Sequence, residues 1–255
     1  PGTRSARRGR RGTDASGGTS SATAPTPSTA ASGNTTYYVS QTIGGCEGPR
    51  APLVVTINPL PTFTPPVNAT YCEGAAVPVS TLTSTPIGAT FNWTNSNTII
   101  GLGASAAGDI PSFVAANGTG SSINGVVAIT PTLNGCVGAT QSYTITIDPL
   151  PVLSTVPSET VCASASFTAI SFSSTPSGAT VNWTNTNGSI GVGVSGSGDI
   201  AAFNGVNAGA TSISGNFTAT PTLNTCVGPQ ITFTLTVDPI PTLTAVPSET
   251  VCAGA

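Results

Sequence analysis

The amino-acid sequence predicts an all-β protein made of tandem β-sandwich modules that are joined by short proline-rich linkers. Three observations support this fold class: the composition, a repeat with a period of ninety residues, and segments in which polar and apolar residues alternate. The chain of 255 residues contains 6% charged residues, 30 glycines and 22 prolines. Together with abundant Thr, Ser and Val, this composition suits short strands connected by tight turns.

The same composition argues against catalysis. The chain contains no histidine and only nine acidic residues, whereas about a quarter of the residues in an average globular protein are charged. General acid–base catalysis depends mainly on His, Asp, Glu and Lys side chains. We therefore expect no enzyme activity, no catalytic residues, no cofactor and no metal. The apolar stretches are much shorter than the roughly 20 residues of a membrane-spanning helix, so we also expect no membrane span.

An internal repeat defines the modules. Trp93 recurs ninety residues later as Trp183, and Pro61 recurs as Pro151 and Pro241. A period of this length matches one small β-sandwich and is about twice the period of a solenoid repeat. Both ends of the sequence are expected to lie within modules. The predicted parts are a basic, disordered tail (1–12), the C-terminal part of a module (13–59), a first complete module (60–149), a second complete module (150–239) and the start of a third module (240–255).

Alternating segments predict the main strands of each module. Residues 141–147 and 230–237 place Thr or Ser at every second position with apolar residues between them, which is the pattern of a half-buried strand. Residues 89–94 and 179–184 predict a second strand with a central tryptophan that faces the core.

Proline-rich segments follow each alternating strand, at residues 148–151 and 238–241. Proline cannot donate a hydrogen bond to a strand ladder, so these segments are predicted to end the modules. Proline-rich linkers prefer an extended and fairly stiff conformation. Successive modules are therefore expected to follow one another as a rod.

The repeated motifs resemble those of a known group of bacterial surface proteins. They are Pro-Leu-Pro, Gly-Ala-Thr-x-Asn-Trp-Thr, Gly-Asp-Ile and Thr-Pro-Thr-Leu-Asn-x-Cys-Val-Gly. Over residues 60–255 the chain is similar to the PKD-like repeats of Bacteroidetes surface proteins, and residues 13–59 resemble the second half of the related bacterial immunoglobulin-like module. The resemblance implies immunoglobulin-like sandwiches in large adhesins or surface fibres, exported by type IX secretion, with no catalytic activity.

Six cysteines occupy two repeat-matched positions: Cys46, Cys136 and Cys226, and Cys72, Cys162 and Cys252. Without histidine or a Cys-x-x-Cys pair they argue for disulfides rather than zinc, and hence for an oxidising, extracellular compartment. Pairing within each module, Cys72 with Cys136 and Cys162 with Cys226, is favoured. In immunoglobulin topology these positions would lie at opposite ends of a sandwich, so the pair Cys72–Cys226 across a module junction stays open. Cys46 and Cys252 lack partners in either scheme and are candidates for inter-chain bonds.

Tryptophans and acidic residues at repeat-matched positions are further candidates for sites. Trp93 and Trp183 could stack against sugars, but a single tryptophan on this strand of an immunoglobulin-like sandwich normally fills the core, and we predict both to be core residues. Calcium takes six to eight oxygen ligands, whereas the acids provide one carboxylate per loop. Hydrogen bonding within turns is therefore their expected role. These acids are Asp109, Asp148, Asp199 and Asp238.

Five arginines within residues 1–12 form the single basic run of the sequence. Such a run can bind nucleic acid, but no aromatic residues or folded motif accompany it here. Because Gly and Arg without apolar residues cannot build a core, a solvated tail is favoured. We expect no nucleic-acid partner.

Two classes of function follow from these observations. The favoured class is a structural, adhesive segment of a large secreted or cell-surface protein at the bacterial surface, whose modules form an extended rod or fibre. Its first partners are neighbouring modules of the same polypeptide, and a net charge of −3 leaves little repulsion against self-association into filaments. The alternative is a module that binds glycans or proteins through loops at the end of the sandwich, such as residues 101–120.

Overall fold

The structure of the chain, a computed structural model, describes residues 26–40, 42–43, 46–251 and 253. The predicted basic tail, residues 13–25 and Cys252 lie outside the described residues. Strands and turns make up the described part of the chain, together with two short 3-10 turns. The all-β fold class predicted from the sequence is therefore confirmed.

The N-terminal segment is a β-hairpin with a long antiparallel ladder from Gly33↔Ile57 to Val39↔Ala51. The register Gly33↔Ile57 recurs ninety residues later as Ile123↔Ile147, so this hairpin occupies the place of the last long hairpin of a repeat. Its strands are β1 Gly33–Val39, β2 Thr42–Ile43, β3 Cys46–Glu47 and β4 Ala51–Ile57.

The first repeat, residues 60–149, contains ten strands and one 3-10 turn. They are β5 Thr62–Phe63, β6 Ala69–Cys72, β7 Ala76–Val77, β8 Ser84–Thr85, β9 Thr90–Asn95, the 3-10 turn Thr98–Ile100, β10 Ser105–Ala107, β11 Phe113–Val114, β12 Ile123–Leu133, β13 Cys136–Val137 and β14 Gln141–Asp148.

The second repeat, residues 150–239, places the same elements ninety residues later. They are β15 Val152–Leu153, β16 Glu159–Cys162, β17 Ser166–Phe167, β18 Ser174–Thr175, β19 Thr180–Asn185, the 3-10 turn Gly188–Ile190, β20 Ser195–Ser197, β21 Phe203–Asn204, β22 Ile213–Leu223, β23 Cys226–Val227 and β24 Ile231–Asp238.

Each repeat is a two-layer sandwich. In the first repeat the larger sheet has the order β10-β9-β12-β14-β6, with β13 added beside β12. The ladders of this sheet are antiparallel except for the parallel pair of β6 with β14. Short ladders form the facing layer: β5 with β8, β7 with β11, and the bridge Ser80↔Ile110. The second repeat has the same strand order, and this arrangement is that of an immunoglobulin-like sandwich.

The core of each repeat lies between these layers and is built by alternation along the strands. On β9 the side chains of Phe91, Trp93 and Asn95 are buried while the intervening residues are exposed. The predicted core residues Trp93 and Trp183 both belong to the buried clusters. Apolar burial of this kind is the dominant stabilising contribution to a fold.

The core of the second repeat is richer in aromatic side chains. Phe217 is fully buried, stacks on Phe233 at 4.9 Å between ring centroids and lies 5.8 Å from the ring of Trp183. The first repeat has Val127 and Tyr143 at the positions of the two phenylalanines. The two sandwiches therefore share one backbone plan but fill it with different side chains.

The two tryptophans differ in one hydrogen bond and also in the residue that faces them on the neighbouring strand. Trp183 faces Gly196 and its Nε1 donates to the carbonyl of Gly198 at 3.1 Å. A Cβ at Gly196 would overlap the indole ring. Trp93 faces Ala106, and its buried Nε1 has no hydrogen-bond partner among the described residues. The extra methyl group thus accompanies the loss of an indole hydrogen bond.

A two-residue turn in each repeat yields a testable difference in stability. Asn134 and Gly135 both have positive φ, at 50° and 80°, and the second repeat has Asn224 at 48° and Thr225 at 76°. A β-branched residue is strained in this conformation, whereas glycine is not. We expect Thr225→Gly to stabilise the second repeat by about 1 kcal/mol, measured by chemical denaturation. The reciprocal Gly135→Thr should destabilise the first repeat by a similar amount, and a loss of stability in Thr225→Gly would contradict the prediction.

Candidate functional site at the junction of the two repeats

The outgoing end of the first repeat is where β14 stops. Its last residue, Asp148, pairs with Cys72 in the parallel ladder of β14 and β6, and the Asp148 carbonyl accepts a hydrogen bond from the Glu73 amide at 2.8 Å. The Asp148 carboxylate is buried and accepts a hydrogen bond from the hydroxyl of Ser122. These contacts hold the Cys72 backbone beside the point where the chain leaves the first repeat.

The incoming end of the second repeat is formed by the hairpin of β22 and β23. This hairpin pairs Leu223 with Cys226, and the amide of Gly228 donates to the Pro221 carbonyl at 2.9 Å. Gly228 lies against the carbonyl of Pro151, in the space that a Cβ atom would need. Because Gly228 has no side chain, the hairpin that carries Cys226 can lie directly against the linker that enters the second repeat.

A disulfide between Cys72 and Cys226 spans this junction, with 5.5 Å between the Cα atoms and a sequence separation of 154. This distance is within the usual range of about 4.4–6.8 Å. Below we call it the junction disulfide. It connects the outgoing end of the first sandwich to the incoming end of the second, alongside the peptide linker Pro149-Leu150-Pro151.

The favoured pairing within each module, Cys72 with Cys136 and Cys162 with Cys226, is therefore wrong. Cys72 is level with Asp148 at the end of β14, whereas Cys136 precedes Gln141 at its beginning. The eight residues of β14 span roughly 25 Å at about 3.3 Å per residue, far beyond the reach of a disulfide. Within the described residues, Cys46, Cys136 and Cys162 form no disulfide.

The linker between the two repeats is less exposed than the linker that follows the second repeat. Pro149 and Pro151 are buried, Leu150 is half-buried, and Cys226 is 1% exposed. At the linker that follows the second repeat, by contrast, the equivalent Ile240 is 57% exposed. The junction thus combines a partly buried linker with a covalent cross-link.

The remaining sequence-predicted candidates lie away from this junction or have a structural role. Asp109 accepts the amide of Leu82 at 2.8 Å and Asp199 accepts the amide of Phe172 at 2.9 Å. These bonds join the loop to a segment 27 residues away, whereas hydrogen bonding within the turn was expected. The Asp238 carboxylate accepts the Ser212 hydroxyl at 2.6 Å.

The loop at residues 101–120, a candidate for ligand binding, is fixed by a buried amide. Asn117 donates to the carbonyl groups of Ser121 and Ile147, both at 2.8 Å, and accepts from the amide of Thr119 at 3.1 Å. The side chain is fully used in holding the loop to β14, so it does not face a ligand.

The described residues contain neither a candidate metal-binding cluster nor a candidate membrane-spanning helix. No group of three or more His, Cys, Asp or Glu side chains in this part of the chain could hold a metal ion. No helix there combines the length and apolarity that crossing a membrane would require.

Comparison with known proteins gives structural neighbours only. No family model and no curated protein matches the chain. Similar solved structures include Sidekick-1 immunoglobulin domains 1–5 (15% identity, TM-score 0.29, 84% of this chain and 47% of that chain), mouse cadherin-23 EC22-24 (14%, 0.35, 81% and 74%), and protocadherin gamma B7 extracellular cadherin domains 1–4 (10%, 0.36, 82% and 58%).

The chain spans about half the length of the Sidekick-1 and protocadherin structures. These identities are below 25% and the TM-scores below 0.5, so the classification rests on the strand order, the two cores and the junction. Together they define a chain of tandem immunoglobulin-like β-sandwich repeats, cross-linked from one repeat to the next.

The close approach at Gly228 yields a prediction for the junction. We expect Gly228→Ala to push the hairpin away from the Pro151 carbonyl, because the new Cβ atom would overlap it. The second repeat should lose about 1–3 kcal/mol of stability, and the fraction of chains with the junction disulfide should fall. Thermal unfolding and non-reducing peptide mapping measure the two effects. The control Gly193→Ala, whose Cβ atom would meet its nearest neighbour at 3.6 Å, should behave like the unchanged chain, and equal behaviour of both variants would contradict the prediction.

Proposed function

We propose that this chain is a structural, adhesive segment of a secreted or cell-surface protein, in which sandwiches joined end to end form a stiff rod. The observation that carries the proposal is the junction disulfide between Cys72 and Cys226. Export by type IX secretion and a place on a bacterial surface belong to the proposal and are supported by the resemblance of the repeated motifs to Bacteroidetes surface proteins.

The positions of the chain ends within a repeat support a linear arrangement. The hairpin glycine Gly138 lies against the carbonyl of Pro61, so the chain enters the first repeat at the end that carries this hairpin. The chain leaves at Asp148, at the other end of β14. A module with its two connections at opposite ends extends a chain along one direction when it is repeated.

Two covalent connections restrict bending at the junction more than one does. A single peptide linker leaves the adjoining modules free to rotate about it, and the default expectation for a small interface is relative motion. Here the linker Pro149-Leu150-Pro151 and the junction disulfide connect the same two ends.

The disulfide also indicates the compartment. Disulfides persist in oxidising, extracellular environments and are rare in the cytosol. A chain with no histidine and nine acidic residues offers little for acid–base chemistry. Both features agree with an external, mechanical role and a non-enzymatic protein.

Small-angle X-ray scattering of the monomeric, oxidised chain tests the proposal. β12 has 11 residues, which corresponds to a sandwich length of roughly 40 Å, so two repeats in line should give a particle longer than about 80 Å. The Cys72→Ser variant should show a broader range of lengths, because one of the two connections is lost. The control Cys162→Ser leaves the junction intact and should match the unchanged chain. A compact particle with the repeats side by side would contradict the proposal.

A further inference from the structure

Among the free cysteines of the described chain, two belong to the complete repeats and stand at the junction positions. Cys162 lies ninety residues after Cys72, and Cys136 lies ninety residues before Cys226. Neither forms a disulfide with a described residue. They lie at the two ends of the pair of sandwiches that face away from the junction.

The surroundings of Cys162 match those of Cys72. Cys162 pairs with Asp238 in the parallel ladder of β16 and β24. The following amide, that of Ala163, donates to the Asp238 carbonyl at 2.8 Å, which is the distance of the equivalent bond from Glu73 to Asp148. The outgoing end of the second repeat thus has the same backbone arrangement that holds the disulfide-bonded Cys72 at the outgoing end of the first repeat.

The surroundings of Cys136 match those of Cys226 in the same way. Cys136 pairs with Leu133 across the hairpin of β12 and β13, and the Gly138 amide donates to the Pro131 carbonyl at 2.9 Å. Gly138 also lies against the carbonyl of Pro61, as Gly228 lies against that of Pro151. Each end therefore carries one complete half of the junction.

Exposure distinguishes these halves from the complete junction. Leu60 and Ile240 are 64% and 57% exposed, whereas the equivalent Leu150 is half-buried. Cys162 is exposed and Cys136 is partly exposed, but Cys226 is buried. The apolar side chain at this linker position is thus more exposed at both outer ends than at the junction.

We propose that Cys162 and Cys136 are half-sites of a repeated cross-link, and that the partner of each is another module of the same repeat. Cys162 bonds to the hairpin cysteine of the module that follows, and Cys136 bonds to the outgoing cysteine of the module that precedes. The sequence after the second repeat supports this partner, because Ser248-Glu249-Thr250-Val251 repeats residues 158–161 in the same frame. The inference rests on the proposed function and extends it to a cross-link at every junction.

The bond forms by thiol–disulfide exchange with a small disulfide such as oxidised glutathione. The two cysteine thiols are oxidised to one disulfide and give up two protons and two electrons. One molecule of oxidised glutathione is reduced to two molecules of glutathione. The atoms and electrons of the reaction therefore balance with one oxidant per bond.

An extended chain tests the inference. A copy of residues 166–239 added after Ala255 completes a third repeat, because residues 240–255 correspond to residues 150–165. After refolding in a glutathione redox buffer, non-reducing peptide mapping should find Cys162 bonded to the added copy of Cys226, with loss of the Cys162 thiol in most chains. The matched control Cys162→Ser should lose this bond and keep the bond between Cys72 and the original Cys226.

A second variant makes the test independent of how the added module folds. Replacing residues 1–32 by a copy of residues 60–122 completes the repeat before Gly33, and Cys136 should then bond to the added copy of Cys72. Circular dichroism and resistance to protease establish that the added module is folded. If the added module folds but Cys162 or Cys136 stays free, the inference is overturned. The proposed function still stands in that case, provided that the junction disulfide is present. Absence of the junction disulfide from the oxidised natural chain would instead overturn the proposed function.

Discussion

When it is stretched from its two ends, the oxidised chain is expected to extend by on the order of 500 Å less than the reduced chain, because an unfolded chain spans at most about 3.3–3.6 Å per residue. The junction disulfide transmits the force directly from Cys72 to Cys226, which are 154 residues apart in sequence. The residues between them therefore do not contribute to the extended length. Most strands of both repeats lie within this separation.

Single-molecule extension with handles on the two termini measures the difference. The Cys72→Ser variant should reach the full length without reductant, since it cannot form the junction disulfide. Cys162→Ser should behave like the unchanged chain. Equal extension of the oxidised and reduced chains would show that the disulfide is absent or that force follows another route.

Truncation of Phe217 is expected to cost the second repeat about 3–5 kcal/mol. The side chain is fully buried, stacks on Phe233 and contacts Trp183, so Phe217→Ala opens a large cavity in the center of the aromatic cluster. Each repeat contains one tryptophan, and in a Trp93→Phe background the fluorescence of Trp183 reports on the second repeat alone. Denaturant unfolding of this background with and without Phe217→Ala gives the loss of stability.

The matched control for this truncation is Val206→Ala in the same repeat. Val206 is 53% exposed, so its truncation should change stability by less than about 0.5 kcal/mol. The complementary background carries Trp183→Phe together with Cys72→Ser, which removes the junction disulfide. In this background the fluorescence of Trp93 should show that Phe217→Ala leaves the stability of the first repeat unchanged. A loss shared equally by both repeats would contradict the assignment of separate cores.

The long strands and the tryptophan cores could be predicted because their signals are local. The alternation in residues 141–147 and 230–237 corresponds to strands β14 and β24, and burial of Trp93 and Trp183 follows from their place on β9 and β19. Two-residue strands such as β7 are too short to show a period. They form because the larger sheet presents an apolar face that they cover, which is a property of the tertiary structure.

The cysteine pairing could be narrowed by sequence reasoning but not decided. The repeat places Cys72 and Cys136 in one module, and proximity along the chain favours a bond between them. The register of β6 with β14 separates them, and this register depends on a parallel ladder between residues far apart in sequence. Similarly, the carboxylate of Asp109 was expected to stabilise its own turn, whereas it accepts a hydrogen bond from Leu82.

The closed covalent ring between Cys72 and Cys226 also affects what a protease can achieve. Exposed loop tips such as Gly118-Thr119-Gly120 are the usual places of proteolytic cleavage. One cut within the ring leaves both fragments attached to each other through sulfur, so neither half is shed. A string of such rings would tolerate one nick in each of them and remain covalently connected along its whole length.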